Sequence, residues 1–167
     1  MVMSLNGKTT RGNESRVYQW TSEEDKTFFR SLAKRSNVFI MGRKTYLAAK
    51  TVLQMFPKTS RFFVLTKRIE RRNNDPRFTF VNIDTRSLLR KLQKEHNPRA
   101  ILLGGEETNS EFFKHNLIDE LWITIEPVLF GDGKGLMGKM KLSQHLKLIS
   151  VKRTNVLGTL FLRYIRI

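Results

Sequence analysis

RAILLGGEETNSEFF, residues 99–113, runs a short apolar stretch into two glycines and then into a segment that opens with two glutamates. Ala100, Ile101, Leu102 and Leu103, stopped by glycine, read as a buried strand. The spacing beyond them predicts a helix over 106–116. Gly104 and Gly105 let a ligand come close to the main chain, and a helix starting there points unpaired N–H groups at the same spot. The junction is a candidate ligand cradle. Glu106 and Glu107 occupy the first turn, where they complement the helix dipole themselves. An anion could meet the Gly-Gly backbone only if those carboxylates splay outward.

The same alternation extends in both directions. NVFIM (37–41), RFFVLT (61–66), FTFVN (78–82), AILL (100–103) and LWITIE (121–126) read as strands. SEEDKTFFRSLAKR (22–35), KTYLAAKTVLQM (44–55), TRSLLRKLQKEH (85–96) and EETNSEFFKHN (106–116) read as helices. Ser22, three residues before Asp25, and Thr85 are the expected N-caps. Two last strands, near 146–154 and 159–166, flank a hairpin turn at Leu157-Gly158. Continuous apolar strands alternating with helices imply an α/β fold in three layers: a mixed, mostly parallel sheet, helices on both faces, and a C-terminal antiparallel hairpin. No repeat or linker-like segment interrupts the pattern, so residues 1–167 read as one domain. MVMSLNG starts at Met1, so either the first strand is short or the natural start lies upstream.

Three strand-to-helix junctions carry the chemistry: IMGRKT (40–45), VLTKR (64–68) and LLGGEE (102–107). In an open α/β sheet such junctions fall at the carboxyl ends of parallel strands, where ligands bind. Together they offer bare N–H groups, hydroxyls and cations, which suits a pyrophosphate with a further phosphate. The plain alternative is that Gly42, Gly104 and Gly105 only make tight turns. Neither GxGxxG nor GxxxxGK[ST] is present, which excludes the standard dinucleotide fingerprint and the P-loop. A second constellation is YQWTSEEDKTFF (18–29). Asp25 there either complements a helix dipole or grips a cationic, amidine-like group on a flat heterocycle between aromatic walls. His96, His115 and His145 lack metal-ligand spacing and read as surface residues; no metal site is expected. GDGKG (131–135) reads as a turn.

Composition bounds these readings. The 167 residues contain no Cys, which excludes disulfides and thiolate metal sites. Neither a signal segment nor an apolar run of membrane length is visible, so the expectation is a cytoplasmic protein. Thirty-one Lys and Arg against 15 Asp and Glu give a net charge of +16. That balance keeps a nucleic-acid-binding module open as a rival, although only KRIERR (67–72) is a dense basic cluster. Binding of that kind would weaken steeply with salt.

Taken in order, MSLNGK, W-x4-D-x2-FF, MGRKTY, VLTK, LGGEE and IDELWIT resemble dihydrofolate reductase, and equally the related reductase domain of riboflavin biosynthesis. The resemblance covers nearly the whole chain. It implies an NADPH-dependent oxidoreductase transferring hydride to a C=N bond. Asp25 would hold the amino-pyrimidine edge of the substrate and support protonation of the ring nitrogen, with Thr124 bonded to it. Trp20 and Phe29 would line the substrate pocket, and Asn6 and Gly7 would begin the loop over the nicotinamide. Gly42, Arg43, Lys44 and Thr45 would hold the pyrophosphate side of the cofactor. Thr66, Lys67 and Arg68 would hold its 2′-phosphate, and Gly104, Gly105 and Glu106 would lie beside the nicotinamide and pyrophosphate. Independently, strand alternation puts Trp122, Thr124 and Glu126 on one face of LWITIE.

The departures divide between the two relatives. Lys58 and Arg61 stand near, not at, the place of the folate-tail arginine, and Asn109 replaces an aromatic residue after Gly-Gly. PVLFGDGKG (127–135) is closer to the riboflavin-pathway reductases, whereas their DDPxLTxR run is missing and Asn6 replaces their Asp. The leading expectation is reduction of dihydrofolate to tetrahydrofolate. The alternative is reduction of a ribosylaminopyrimidine phosphate, with a small molecule as the partner in either case. The riboflavin-pathway relatives also imply a homodimer through the C-terminal strands.

Overall fold

The computed structural model describes residues 1–14, 16–68, 74–95 and 99–167. His96 and residues 69–72 of the KRIERR cluster lie outside them. Among the described residues, eight strands and four α-helices follow one another as β1 (Val2–Ser4), α1 (Glu23–Ser31), β2 (Val38–Gly42), α2 (Arg43–Leu53), β3 (Arg61–Leu65), β4 (Phe78–Val81), α3 (Thr85–Lys94), β5 (Ile101–Gly104), α4 (Glu106–Lys114), β6 (Glu120–Glu126), β7 (Leu146–Arg153) and β8 (Leu160–Arg166). The expected mixed α/β architecture is present. The hydrogen-bonded strands form two four-stranded sheets, not one continuous sheet, in the orders β4-β3-β2-β5 and β1-β6-β8-β7. The first is wholly parallel. In the second, β1 runs parallel to β6, while β8 pairs antiparallel with both β6 and β7.

Period-two alternation explains why β2 and, after Arg61, β3 are apolar. Phe39, Met41, Phe62 and Val64 enter one cluster with Tyr46 and Leu53 of α2. Val38, Ile40 and Phe63 enter the other, with Leu88 and Leu92 of α3 and Phe112 of α4. Each strand is thus covered on both faces. Phe62 stacks between Phe39 and Phe78 at centroid distances of 5.2 and 4.7 Å, and burying a side chain of this class is worth about 1.5–3 kcal/mol. Helix α1 joins the two sheets. Phe29 packs edge-on against Phe56 of the first cluster, and Phe28 stacks on Trp122 of β6 at 5.5 Å.

Two local expectations need correction. Helix α3 is capped by Asp84, not Thr85: Asp84 is extended and its carboxylate accepts the Ser87 N–H at 2.9 Å, which leaves Thr85 inside the first turn. The helix starting after Ser22 ends its α-turns at Ser31 and tightens into a 3-10 turn over Leu32–Lys34.

The 131–135 segment is tied down at several points. Thr9 N–H donates to the Lys134 carbonyl at 2.8 Å, Lys134 N–H to Thr10 Oγ1 at 2.9 Å, and Gly135 N–H to Glu106 Oε1 at 2.9 Å. Gly133 sits at φ +149°, and a Cβ there would lie 2.0 Å from the Thr10 carbonyl oxygen. Gly133→Ala should therefore lower stability by about 2–3 kcal/mol, as a reduced urea midpoint. Wild-type stability in that variant would refute the close approach. No helix among the described residues is long and apolar enough to cross a membrane.

Candidate functional site

The three junctions stand side by side. Gly42 ends β2 and pairs with Leu65 of β3, and Met41 pairs with Gly104 of β5. The carboxyl ends of three neighbouring parallel strands thus present IMGRKT, VLTKR and LLGGEE along one rim. Gly42 and Gly105 are the N-caps of α2 and α4, and neither helix has a side-chain cap. By contrast, Ser22 and Asp84 cap α1 and α3 with side-chain oxygens. The two uncapped starts lie against each other. A Cβ on Gly42 would fall 2.4 Å from Thr108 Oγ1 of α4, and one on Gly105 would fall 3.0 Å from Thr45 Oγ1 of α2. Glycine at both positions is what lets two helix N-termini approach one rim with no capping side chain over either start among the described residues.

The glutamates do splay away. Glu106 turns its carboxylate to the Gly135 N–H, and Glu107 pairs with Lys44 at 2.8 Å across the two helices. That pairing holds Glu107 below the usual carboxylate range, first through the hydrogen bond from Lys44 and then through its charge. The Gly104–Gly105 peptide is cis. Buried Asn109 lies under it, its Nδ2 donating to the Leu136 carbonyl at 2.8 Å. Beyond β3, Thr66 Oγ1 accepts the Arg68 N–H at 3.0 Å, and Lys67 and Arg68 are exposed.

The acid site lies where α1 crosses β6. Ser22, Asp25 and Phe28, one helical turn apart, meet Glu126, Thr124 and Trp122, every second residue of the strand. Three helical residues advance about 4.5 Å and two strand residues about 6.7 Å, so the match holds over this short crossing and would drift out of step beyond it. Asp25 is buried, as is Thr124, whose hydroxyl hydrogen-bonds the carboxylate. Burial pushes the Asp25 carboxyl above its ordinary range. The Thr124 hydroxyl and then the Met1 amine draw it back, and the Glu126 charge pushes it up again.

Met1 links acid and cradle. Its carbonyl accepts the Thr124 N–H at 2.8 Å, and its Sδ lies 3.3 Å from the place of a Gly104 Cβ.

The remaining predicted residues divide. Trp20 lies edge-on to Phe130 at 4.9 Å. Its indole N–H, the Tyr18 hydroxyl and the Thr21 hydroxyl are buried with no hydrogen-bond partner among the described residues. Burial, followed by the Asp25 charge, drives the Tyr18 hydroxyl above its ordinary value. Phe29 faces Phe56 and Tyr18 within the aromatic wall. Asn6 instead serves as a brace: its Nδ2 donates to the Phe130 carbonyl at 2.7 Å, and its Oδ1 accepts from the Ser4 hydroxyl at 2.7 Å and the Phe130 N–H at 3.2 Å.

Tyr18, Ser22 as a brace for an acid, Glu126 and Thr159 were not assigned site roles from sequence. The only early signal was Glu126 sharing the Thr124 face of β6.

Residues 49–157, more than half of the chain, match the RibD C-terminal domain. The uncharacterized protein YwjB of Bacillus subtilis (strain 168) is 26% identical over 156 residues, covering 92% of this chain and 88% of YwjB. A protein of Shewanella sp. PV-4, provisionally described as a riboflavin biosynthesis protein, superposes with a TM-score of 0.83 at 24% identity, over 100% of this chain and 96% of that one. The diaminohydroxyphosphoribosylaminopyrimidine deaminase/5-amino-6-(5-phosphoribosylamino)uracil reductase of Thermotoga maritima superposes with a TM-score of 0.74 at 16% identity. It does so over 99% of this chain but only 55% of the larger protein. These structural likenesses establish a shared fold. With the three junctions on one rim and a family match spanning α2 to the β7–β8 turn, the chain belongs to the RibD C-terminal domain family.

Proposed function

We propose that this protein is an NADPH-dependent reductase of a C=N bond in, or attached to, a small, flat pyrimidine-containing heterocycle. The observation that carries the reading is the junction at Met1 of a buried, Thr124-bonded acid with two uncapped helix N-termini. The cradle fits a dinucleotide: glycines stand where any Cβ would crowd the facing helix, and two helix starts without side-chain caps line the rim. Gly42 to Thr45 and the start of α4 would hold the pyrophosphate, and Thr66, Lys67 and Arg68 the 2′-phosphate. The bound cofactor would supply the hydride received by the substrate carbon.

The chain's own residues do the rest. Asp25 binds the amino-pyrimidine edge and holds a proton for the adjacent nitrogen, so that C=N becomes CH–NH. Thr124 fixes the direction of that carboxyl. Phe28, Phe29 and Trp20 exclude water from it. The orphaned Tyr18, Trp20 and Thr21 atoms provide polar partners for a polar ligand.

Family membership favours a ribosylaminopyrimidine phosphate over dihydrofolate as substrate. The test is NADPH consumption by the purified protein with each compound, beside calorimetric binding of NADPH alone. Consumption dependent on the phosphoribosylaminopyrimidine supports the reading, and consumption dependent on dihydrofolate restores the other substrate. Absence of NADPH binding defeats both.

A homodimer is the accompanying proposal. Strand β7 is an eight-residue sheet edge with Leu148, Ile149 and Val151 exposed. An antiparallel edge of this kind can pair with its own copy across a two-fold axis. Light scattering should give a dimer mass for the wild type and a monomer mass for Val151→Lys. A monomeric wild type ends the proposal.

A further inference from the structure

Glu126 is only 4% exposed, yet no lysine, arginine or histidine pairs with it among the described residues. Three donors converge on it instead. The Ser22 N–H and hydroxyl reach Oε1 at 2.8 and 2.7 Å, and the Thr159 hydroxyl reaches Oε2 at 2.7 Å. Behind Thr159, Asn155 Nδ2 donates to its Oγ1 at 2.9 Å and to Glu24 Oε2 at 3.2 Å. A buried carboxylate held by three donors without a cation is costly to keep, and a packed apolar residue would fill the same place more cheaply. What it does locally is fix one hydroxyl. Because the Ser22 proton is given to Glu126, the Ser22 oxygen is left facing α1, where it accepts the Asp25 N–H at 3.2 Å.

We propose that Glu126 is a positioning residue for Asp25, anchoring the start of α1 through Ser22 so that the Asp25 carboxyl is set against Thr124. This rests on Asp25 being the acid of the proposed reduction. The charge of Glu126 works in the same direction, since a second carboxylate beside Asp25 favours its protonated form. The groups facing Asp25 are the Met1 amine, Tyr18, Lys26 in α1, and Thr124 and Glu126 in β6. Of these, Tyr18 and Glu126 are the acidic groups, and Glu126 is the carboxylate.

The test is an NMR titration of the Asp25 carboxyl in isotope-labelled protein, assigned with Asp25→Asn, across wild type, Glu126→Gln and Glu126→Asp. The Asp25 midpoint should fall in Glu126→Gln and return toward wild type in Glu126→Asp. The acid-dependent limb of the kcat profile should move with it, and kcat should drop roughly tenfold while the KM for NADPH stays constant. A midpoint that stays put or rises in folded Glu126→Gln overturns the proposal. If Glu126→Gln does not fold, Ser22→Ala cuts the link while leaving the charge. Lost turnover at unchanged KM for NADPH then supports positioning, and unchanged turnover overturns it. The titration needs no turnover, so a protein that reduces neither substrate would sink the proposed reaction while still deciding whether Glu126 governs Asp25.

Discussion

Asp25→Asn should lower kcat by about 10²–10⁴-fold with NADPH affinity unchanged, because it removes the proton that Asp25 would give and leaves the cradle intact. Asparagine keeps the shape and can still accept from Thr124, so the loss isolates the protonable oxygen from its packing. Single-turnover rates at saturating NADPH measure the effect, and calorimetry measures the affinity. A variant with wild-type turnover would move the acid elsewhere, with neighbouring Glu24 the next candidate. Wild-type turnover should also depend on pH through Asp25, falling as pH rises past its raised midpoint and the carboxyl loses its proton. Asp25→Asn should lack that limb.

The same variant should be more stable than wild type at neutral pH. A group raised on folding contributes stability that is fully present below its unfolded value and lost as pH rises through its folded value. Asp25 is raised chiefly by burial, so wild type and Asp25→Asn should unfold alike in acid, diverge as pH climbs from the ordinary carboxyl range to the raised midpoint, and stay apart above it. Greater stability together with lost turnover is the signature of an acid kept in an unfavourable place for its chemistry. Equal stability at all pH values would mean that burial does not strain Asp25.

What could be read along the chain was whatever local order decides. The strands β2 to β6 are short apolar runs stopped by glycine or polar residues, and periodicity alone locates them. Ser22 sits three residues before the N–H it accepts, so its cap was visible too. The cap was not fixed by type alone, because Thr85 beside Asp84 is also a capping residue and the backbone conformation decides between them. The strand-glycine-helix junctions themselves were legible, because each glycine sits where an apolar run stops and a helical pattern begins. Their mutual contact was not, because Thr108 and Thr45 reach glycines in other segments. Glu126 was hidden for the same reason. Its partners Ser22 and Thr159 lie 104 and 33 residues away, and sequence spacing carries no record of a network closed by tertiary folding. Asn6 is a further case: its place in MSLNGK was legible, but the bonds of its side chain to Ser4 and Phe130 were not.

Replacing Lys67 and Arg68 together with alanine should weaken NADPH binding on the order of 10²-fold while changing NADH affinity by less than about twofold. Each charge-assisted hydrogen bond to a phosphate is worth about 1.5–3 kcal/mol. Both side chains are exposed, so screening puts the expected loss toward the low end of their sum. Their place gives the selectivity. They follow Leu65, which pairs with Gly42, so they stand one strand over from the α2 N-terminus. A group held there is separate from the pyrophosphate that the two helix starts would share. Removing these cations therefore subtracts only what the extra phosphate contributes. Raising salt should narrow the gap between the two cofactors in the wild type and leave the double variant almost unaffected, because the missing charges are what salt screens. Calorimetric titrations of both cofactors at two ionic strengths provide the check. Equal losses for NADPH and NADH would place the 2′-phosphate elsewhere on the rim.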